Sequence, residues 1–265
     1  MDNKAQVIYF SHGGGPMPIL GDPSHRAMND FMKELPKRIK KPEAIIVFSA
    51  HWEENTVAVQ GAENPPMLYD YYGFPEEAYE ITYNSKGSPE LASRIHELLK
   101  NSDIDCIIDK DRGYDHGLFI PLKMMYPNED IPSIQVSLLH SLSAQEHIKL
   151  GEALSALMEE NILIIGSGFS FHNLRAFGFL GTDEPDEKND AFQDWLIETI
   201  SGNLTWEERK KRLISWESAP NARYCHPRQE HLLPVHVCAG IAGDRAEKIF
   251  DDYIAGKRAV AFLWG

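Results

Sequence analysis

The sequence predicts an α/β fold in which helices flank a central sheet that is mixed but largely parallel. Short apolar runs rich in β-branched residues alternate along the chain with longer helical patterns. This alternation is typical of strands that are connected through helices and covered by them. The 265 residues contain no internal repeat, low-complexity tract or obvious linker. We therefore expect one layered domain over residues 1–265.

The predicted strands are short and apolar, and most are bounded by polar or turn-forming residues. They are VIYF (7–10), EAIIVFSA (43–50), TVAVQG (56–61), the start of IDCIIDKDRGYDHG (104–117), SIQVSLL (133–139), ILIIGSGF (162–169) and AVAFLWG (259–265). The strand at 56–61 is expected nearer an edge of the sheet. The aromatic, proline-rich stretch 65–83 predicts an ordered loop and a strand.

The predicted helices show apolar residues at helical spacing and recognisable start signals. They cover 23–39, 88–102, 117–126, 143–161, 190–202 and 205–216, and a further segment, 227–243, starts with proline and ends with glycine. Ser24 is a candidate N-cap for the first helix. Pro121 is compatible with the first turns of the helix at 117–126.

Composition limits the function classes. The net charge is −14, and an acidic surface repels phosphate groups, so we expect neither nucleic acid nor an anionic membrane as a partner. No apolar run approaches the roughly 18 residues of a membrane span, and the first residues lack the basic start of a signal peptide. Three cysteines without a CxxC pair suit free thiols in a reducing cytoplasm.

Three histidines follow predicted strands. His12 follows VIYFS, His51 follows AIIVFSA, and His172 lies three residues beyond ILIIGSGF. Ligands of open α/β sheets bind outside the carboxyl ends of the strands, and histidine serves there as a metal ligand or as an acid and base. The glycines after His12 leave room for a ligand. His140 also follows a strand, so this rule alone predicts too many site residues.

Helix position excludes other histidines from the candidates. His25, His96 and His147 are expected on helix surfaces, without a role in the site. The spacing of the remaining histidines does not form a compact metal motif such as HExxH. The residues alone therefore predict a histidine-rich site at the carboxyl edge of the sheet.

Five segments in order, SHGGGPMP, SAHW, YDHG, GSGFSFHNL and HPRQEHLLPVHV, resemble the DODA-type extradiol aromatic ring-opening dioxygenases of the class III, LigB-like superfamily. The resemblance spans most of the chain. It implies an α/β fold with one mononuclear metal, usually non-haem Fe(II), and Zn(II) in some bacterial members. It also implies a small catechol, DOPA-like, that is opened by O2 to a muconic semialdehyde.

The resemblance assigns the metal ligands. The first two fall on His12 and His51, and the third lies in EHLLP. The protocatechuate-type branch uses a glutamate at that point and the DODA-like branch a histidine, so Glu230 and His231 are the two candidates. Neighbours on a helix point roughly 100° apart, so only one of them should face the metal. We expect His231, with Glu230 supporting it from behind.

The resemblance also assigns two catalytic residues. The acid/base histidine falls on His172, which approaches the metal as a fourth ligand in some members, and His116 matches a histidine that lines the substrate pocket. His226 is expected to cap or support the site, and His236 to pack or face solvent. Two alternatives stay open: a zinc hydrolase on the same histidines, and a non-catalytic binding member of the superfamily. Retention of His12, His51, His172 and His231 argues against the second. A homo-oligomer is compatible with the sequence.

Overall fold

The computed structural model describes residues 4–177 and 185–265, and its strands form one sheet. The strands are β1 (Gln6–Ser11), β2 (Ala44–Glu54), β3 (Val57–Gln60), β4 (Cys106–Asp109), β5 (Ser133–Leu139), β6 (Ile162–Gly168), β7 (Glu247–Ile254) and β8 (Lys257–Trp264). Their order across the sheet is β4-β3-β5-β2-β6-β1-β8-β7. The four central strands β5, β2, β6 and β1 are mutually parallel. β8 and β7 extend one side in antiparallel pairing, and β3 pairs antiparallel with β5.

Helices flank this sheet, as the sequence predicted. They are α1 (Arg26–Arg38), α2 (Pro89–Asn101), α3 (His116–Met125), α4 (Ala144–Ala153), α5 (Glu187–Ser201), α6 (Trp206–Ile214), α7 (Ala222–Cys225) and α8 (Leu233–Ala242). The central strands are buried on both faces and form one continuous core with the helices. The α/β class with a mixed, largely parallel sheet is confirmed. None of the helices in the described part of the chain is long and apolar enough to cross a membrane.

The register of the central strands brings their carboxyl ends to one level. Ser11 at the end of β1 pairs with Gly168 of β6, and Ser49 of β2 pairs with Ser167. Parallel strands in register present the residues that follow them at one edge. This edge is where the candidate site lies.

A close approach of chain to sheet completes this edge. A Cβ atom built on Gly168 would lie 2.1 Å from the backbone oxygen of His231, and the Phe169 N–H donates to that same oxygen. Only glycine allows the segment before α8 to come so near to β6. The glycine thus permits this position of His231.

Several sequence predictions need correction. The described residues 65–83 form no strand; Met67 makes one isolated bridge to Tyr114. Tyrosine hydroxyls stabilise this stretch as a loop instead, because Tyr69 donates to the Ile81 oxygen and Tyr71 to the Ala78 oxygen. The strand β7 was not predicted because its residues are largely polar and exposed. The strand β7 forms because it pairs with β8. The turn between them contains Ala255 and Gly256, both at positive φ.

The start of α1 and two histidines also differ from prediction. Ser24 does not cap α1; its N–H donates to Asp22, whose carboxylate caps the short 3₁₀ turn Pro23–His25. His25 and His147 are buried, not on helix surfaces. Each ring accepts a backbone N–H, from Gly14 and from Leu139 respectively, and these hydrogen bonds explain why polar rings are tolerated in the interior.

Candidate metal centre and catalytic site

Three histidines from distant parts of the chain converge at the carboxyl edge of the sheet. His12 follows β1, His51 lies near the end of β2, and His231 precedes α8. The Nε2 atom of His51 lies 3.0 Å from Nε2 of His12 and 3.3 Å from Nε2 of His231. His12 and His231 are buried, and His51 is half-buried. The predicted metal-binding triad is thus brought together in space.

Hydrogen bonds at Nδ1 determine the tautomers of two of these rings. The Ser167 hydroxyl donates to the Gly117 oxygen, so His12 must donate from Nδ1 to Ser167 Oγ, 2.9 Å away. His231 donates from Nδ1 to Glu230 Oε1 at 2.9 Å. A neutral imidazole with a proton on Nδ1 carries a lone pair on Nε2. His12 and His231 therefore turn bare lone pairs towards His51.

Two lone pairs directed at one point favour a proton or a cation between them. In the metal-free protein a His51 Nε2–H can donate to one of them, and a metal ion would take the place of that proton. Histidine nitrogens bind zinc and similar ions at about 2.0–2.2 Å, so ligands of one ion lie about 3.0–3.5 Å apart. The observed Nε2 separations of 3.0 and 3.3 Å fall in this range. These two separations suit ligands of one divalent metal ion. The ligand atoms of His12, His51 and His116 also lie within 4.8 Å of one another, as do those of His172, Glu230 and His231.

The protonation state of the triad suits metal binding as well. Burial lowers the pKa of His12, His51 and His231 well below the usual value, and neighbouring imidazoles lower it further. The rings are therefore neutral near neutral pH, which is the form that binds metal ions.

Two further histidines flank the triad, each tied to a carboxylate. The ring of His172 stacks on that of His231 with centroids 3.4 Å apart, and its Nδ1 lies 3.0 Å from Glu230 Oε1. The ring centroid of His116 lies 3.8 Å from that of His51. Both rings line the same cavity. With Nδ1 held by a carboxylate, Nε2 is the nitrogen that each presents for chemistry.

Glu230 lies behind His231 and joins it to His172. Its Oε1 atom accepts from both Nδ1 atoms, and Arg228 lies 3.3 Å from Oε2. Burial alone would raise the pKa of Glu230, but the hydrogen bond and charge of His172, with Arg228, lower it below its usual value. An ionised carboxylate at Nδ1 orients a metal-binding histidine and increases its basicity.

Asp70 makes an equivalent link on the other side of the site. Its Oδ2 atom lies 2.8 Å from His116 Nδ1 and 3.6 Å from His51 Nδ1. Burial opposes ionisation, but hydrogen bonds from His116 and the nearby imidazoles lower the pKa of Asp70 to about 2. Sequence reasoning missed Asp70, because a loop carries it to the site from outside the strand-end pattern.

The cavity above the histidines has a volume of about 450 Å³ and mostly apolar walls. Its lining comprises the five histidines already described together with Gly13, Gly14, Gly15, Met17, Tyr71, Phe74, Phe169, Leu174, Phe177 and Ala255. Apolar and aromatic walls with a few polar groups at the base are typical of small-molecule sites. The volume and the lining suit a small, partly apolar molecule.

The glycine loop after His12 forms one wall of this cavity. Gly13 has φ +87°, and a Cβ atom there would lie 2.8 Å from Pro18 and 3.0 Å from His25. His25 accepts the Gly14 N–H at Nε2 and lies 3.0 Å from Asp22 through Nδ1. The glycines therefore permit a tight turn that His25 fixes, a role which sequence reasoning did not assign to that residue.

The remaining histidines lie outside the cavity lining. His226 is buried and lies 2.9 Å from the Ser170 oxygen, and His236 is buried with Nε2 3.0 Å from the Leu213 oxygen. His140 is exposed beside Glu53. His236 therefore packs in the core, and His140 shows that a strand-end histidine need not reach the site.

Comparison with known proteins agrees with this geometry. The family model described as the catalytic LigB subunit of aromatic ring-opening dioxygenase matches residues 6–262. The chain is 39% identical to the 4,5-DOPA dioxygenase extradiol of Beta vulgaris, over 96% of this chain and 94% of that one. It is 38% identical to dioxygenase tasH of Hapsidospora irregularis, over 98% and 86%.

Bacterial proteins show the same likeness. The 4,5-DOPA dioxygenase extradiol of Escherichia coli K12 is 34% identical over 93% of this chain and 88% of its own. A crystal structure of an uncharacterized protein from Escherichia coli K12 superposes with a TM-score of 0.79 at 28% identity, covering 98% and 99% of the two chains. The histidine centre and the match along nearly the whole sequence lead to one conclusion: this chain belongs to the LigB family of extradiol aromatic ring-opening dioxygenases.

Proposed function

We propose that the protein opens the aromatic ring of a catechol with O2 at a single divalent metal ion held by His12, His51 and His231. The observation that carries this proposal is the set of Nε2 atoms 3.0 and 3.3 Å apart, two of them fixed as bare lone pairs by hydrogen bonds at Nδ1. The three ligands leave positions open for other molecules.

The metal proposed for the cell is Fe(II), and Zn(II) is expected as a replacement in purified protein. Bound Fe(II) would supply Lewis acidity towards the catechol oxygens and electrons for the reaction with O2. The histidine set by itself accommodates both ions. The protein's own groups then govern orientation and proton movement.

His172 is the proposed acid and base. Its Nδ1 faces the ionised Glu230 at 3.0 Å, which favours a proton at Nδ1 and leaves the lone pair on Nε2. Nε2 can accept a proton from a catechol hydroxyl and return it later in the reaction. Glu230 stabilises the ring while it carries the extra positive charge.

His116 and the apolar walls are proposed to orient the substrate. The walls, including Tyr71, Phe74 and Phe169, would contact the faces and edge of the aromatic ring. His116 lines the cavity beside His51, within reach of a catechol oxygen directed at the metal. Exclusion of water by the aromatic side chains would strengthen these polar contacts.

The names of the relatives make DOPA the first catechol to test. Two of the relatives compared above are 4,5-DOPA dioxygenases, and a DOPA-like catechol is our proposed substrate class. We further propose that the protein acts in the cytoplasm, on a small molecule rather than on a macromolecule. A homo-oligomer is compatible with this function.

Anaerobic metal loading followed by oxygen uptake tests the proposal. Protein loaded with Fe(II) should consume O2 with DOPA or another catechol and release a yellow ring-opened semialdehyde, whereas Zn(II) protein should not. Mass spectrometry of the product should show addition of both oxygen atoms. Hydrolysis of an ester or amide by the Zn(II) form, without oxygen uptake by the Fe(II) form, would contradict the proposal and favour a hydrolase.

A further inference from the structure

The loop with sequence YDYYGF (69–74) has a defined conformation beside the site. The hydroxyls of Tyr69 and Tyr71 donate to the backbone oxygens of Ile81 and Ala78, and the Asp70 N–H donates to the Leu68 oxygen. These hydrogen bonds involve Asp70 and the residues on either side of it. The loop therefore holds this carboxylate in one place.

Asp70 accepts two hydrogen bonds from His116. Its Oδ1 atom accepts the backbone N–H of His116 at 2.9 Å, and its Oδ2 atom accepts the ring Nδ1–H at 2.8 Å. His116 is the first residue of α3, and its preceding residue, Asp115, makes no side-chain capping bond within the described structure. Asp70 supplies the missing acceptor from another loop, where a negative charge also favours the helix terminus.

The contact of Asp70 with His51, the nearest of the proposed metal ligands, is longer than its contacts with His116. Oδ2 lies 3.6 Å from Nδ1 of His51, beyond the range of a good hydrogen bond. The two short bonds go to His116, whose ligand atom lies within 4.8 Å of those of His12 and His51 and which the proposed function places beside the metal. The geometry therefore couples Asp70 more closely to His116 than to His51.

Building on the proposed function, we infer that Asp70 is a positioning residue for ring opening, which acts by holding the proton of His116 on Nδ1 and presenting Nε2 to a catechol oxygen. In this role Asp70 corresponds to Glu230, which holds His172 through Nδ1 on the opposite side of the triad. Each cavity-lining histidine outside the triad thus has one carboxylate behind it.

The variant Asp70→Asn tests the inference, because an amide can present an N–H where Oδ2 now accepts. Loss of such a supporting partner typically costs about 10–100-fold in activity, and we expect that fall in kcat with DOPA at unchanged Fe(II) content. Asp70→Glu, which retains the carboxylate, should recover part of the loss. Glu208→Gln is the matched control: it removes a carboxylate that accepts a backbone N–H at the start of α6, away from the cavity.

A double-mutant cycle identifies the residue through which Asp70 acts. His116→Ala alone should lower kcat at least as much as Asp70→Asn, and the double variant should be no worse than His116→Ala, since coupled residues are not additive. Losses that multiply would overturn the inference, and so would loss of Fe(II) from Asp70→Asn, which would place the effect on His51.

A measurement that requires neither bound metal nor catalysis completes the test. Nitrogen-15 NMR of the metal-free protein should show His116 as the Nδ1–H tautomer in the wild type and an altered tautomer in Asp70→Asn. An unchanged His116 tautomer in the variant would overturn the inference. Wild-type protein that binds Fe(II) but opens no catechol would instead reject the proposed function, while the tautomer would still report whether Asp70 controls His116.

Discussion

At the scale of single residues, the site depends on which nitrogen of each imidazole is committed to a hydrogen bond. His12 and His231 are fixed by Ser167 and Glu230 through Nδ1. The nitrogen that would face the proposed metal is therefore fixed in the metal-free protein. This arrangement is the basis for proposing different roles for the neighbouring residues Glu230 and His231.

Metal content should separate those two neighbours. We expect His231→Ala to lose the metal, because it removes one of three ligands, and Glu230→Gln to retain most of it, because the ligand nitrogen remains. Metal analysis of both purified variants after identical loading decides the matter. Metal lost from Glu230→Gln but kept by His231→Ala would identify a carboxylate ligand instead.

Turnover should depend on His172, whereas binding of the metal should not. General acid–base catalysis contributes about 10²–10⁴-fold, so His172→Ala should lower single-turnover ring opening by a factor in that range at full Fe(II) content. The stacked ring of His231 keeps its bond to Glu230 in this variant. Near-normal turnover would transfer the role to His116, and loss of iron would make His172 a ligand.

Sequence alone could indicate His12, His51 and His172, because each follows an apolar run that must end at the same edge. It could not indicate Asp70 or His25. Their roles depend on loops whose paths are set by tyrosine hydroxyls and a glycine turn, neither of which leaves a periodic pattern. The resemblance to the family, not the pattern, supplied His231.

At the scale of elements, the loop from His12 to Pro18 works through backbone shape rather than side chains. Gly13 is both in the positive-φ region and tightly surrounded, whereas Gly21 has φ +80° with open space around it. A side chain at Gly21 would meet backbone strain alone, whereas one at Gly13 would meet both backbone strain and crowding. This makes them a natural pair of variants.

Gly13→Ala should cost more stability than Gly21→Ala. Backbone strain at positive φ costs on the order of 1–3 kcal/mol in either variant, and Gly13→Ala adds contacts at 2.8 Å with Pro18 and 3.0 Å with His25. Urea unfolding of both variants, with KM for a catechol, measures the difference. Equal losses of stability and equal KM values would show that crowding at Gly13 does not shape the cavity wall.

The elements that sequence analysis missed share a physical cause. β7 is largely polar and exposed, and is defined by its pairing with β8, so it carries little hydrophobic signal. The predicted strand within 65–83 carried an aromatic signal, but those rings pack around the cavity and against one another. Central strands, buried on both faces, were the most predictable.

At the scale of the whole molecule, buried neutral histidines should make the fold sensitive to acid. Burial lowers the pKa of His226 to about 3 and that of His236 to about 4, against about 6.5 in an unfolded chain. The unfolded chain therefore binds more protons below about pH 6.5, and each such histidine removes about 1.4 kcal/mol of stability per pH unit until its folded pKa is reached.

Urea unfolding of the metal-free protein between pH 7.5 and pH 4.5 measures this loss of stability. These pH values lie about one unit above and two units below the pKa of a free histidine. The free energy of unfolding should be fully retained at the upper end and fall towards the lower end. His236→Gln should reduce the steepness by about one proton. His96→Gln, at a half-buried position on α2, is the control. An equal slope in all three proteins would contradict the assignment of His236.

The convergence of three Nε2 atoms also has a mechanical consequence. His51 is separated from its partners by 39 and 180 positions along the chain. In the proposed site a bound ion would therefore cross-link the end of β1, β2 and the segment before α8. Closing such long loops restricts the unfolded chain strongly. Metal at about 100 times its dissociation constant should stabilise the fold by about 2.7 kcal/mol. A chelator should then lower the melting temperature of the wild type but leave that of His231→Ala unchanged.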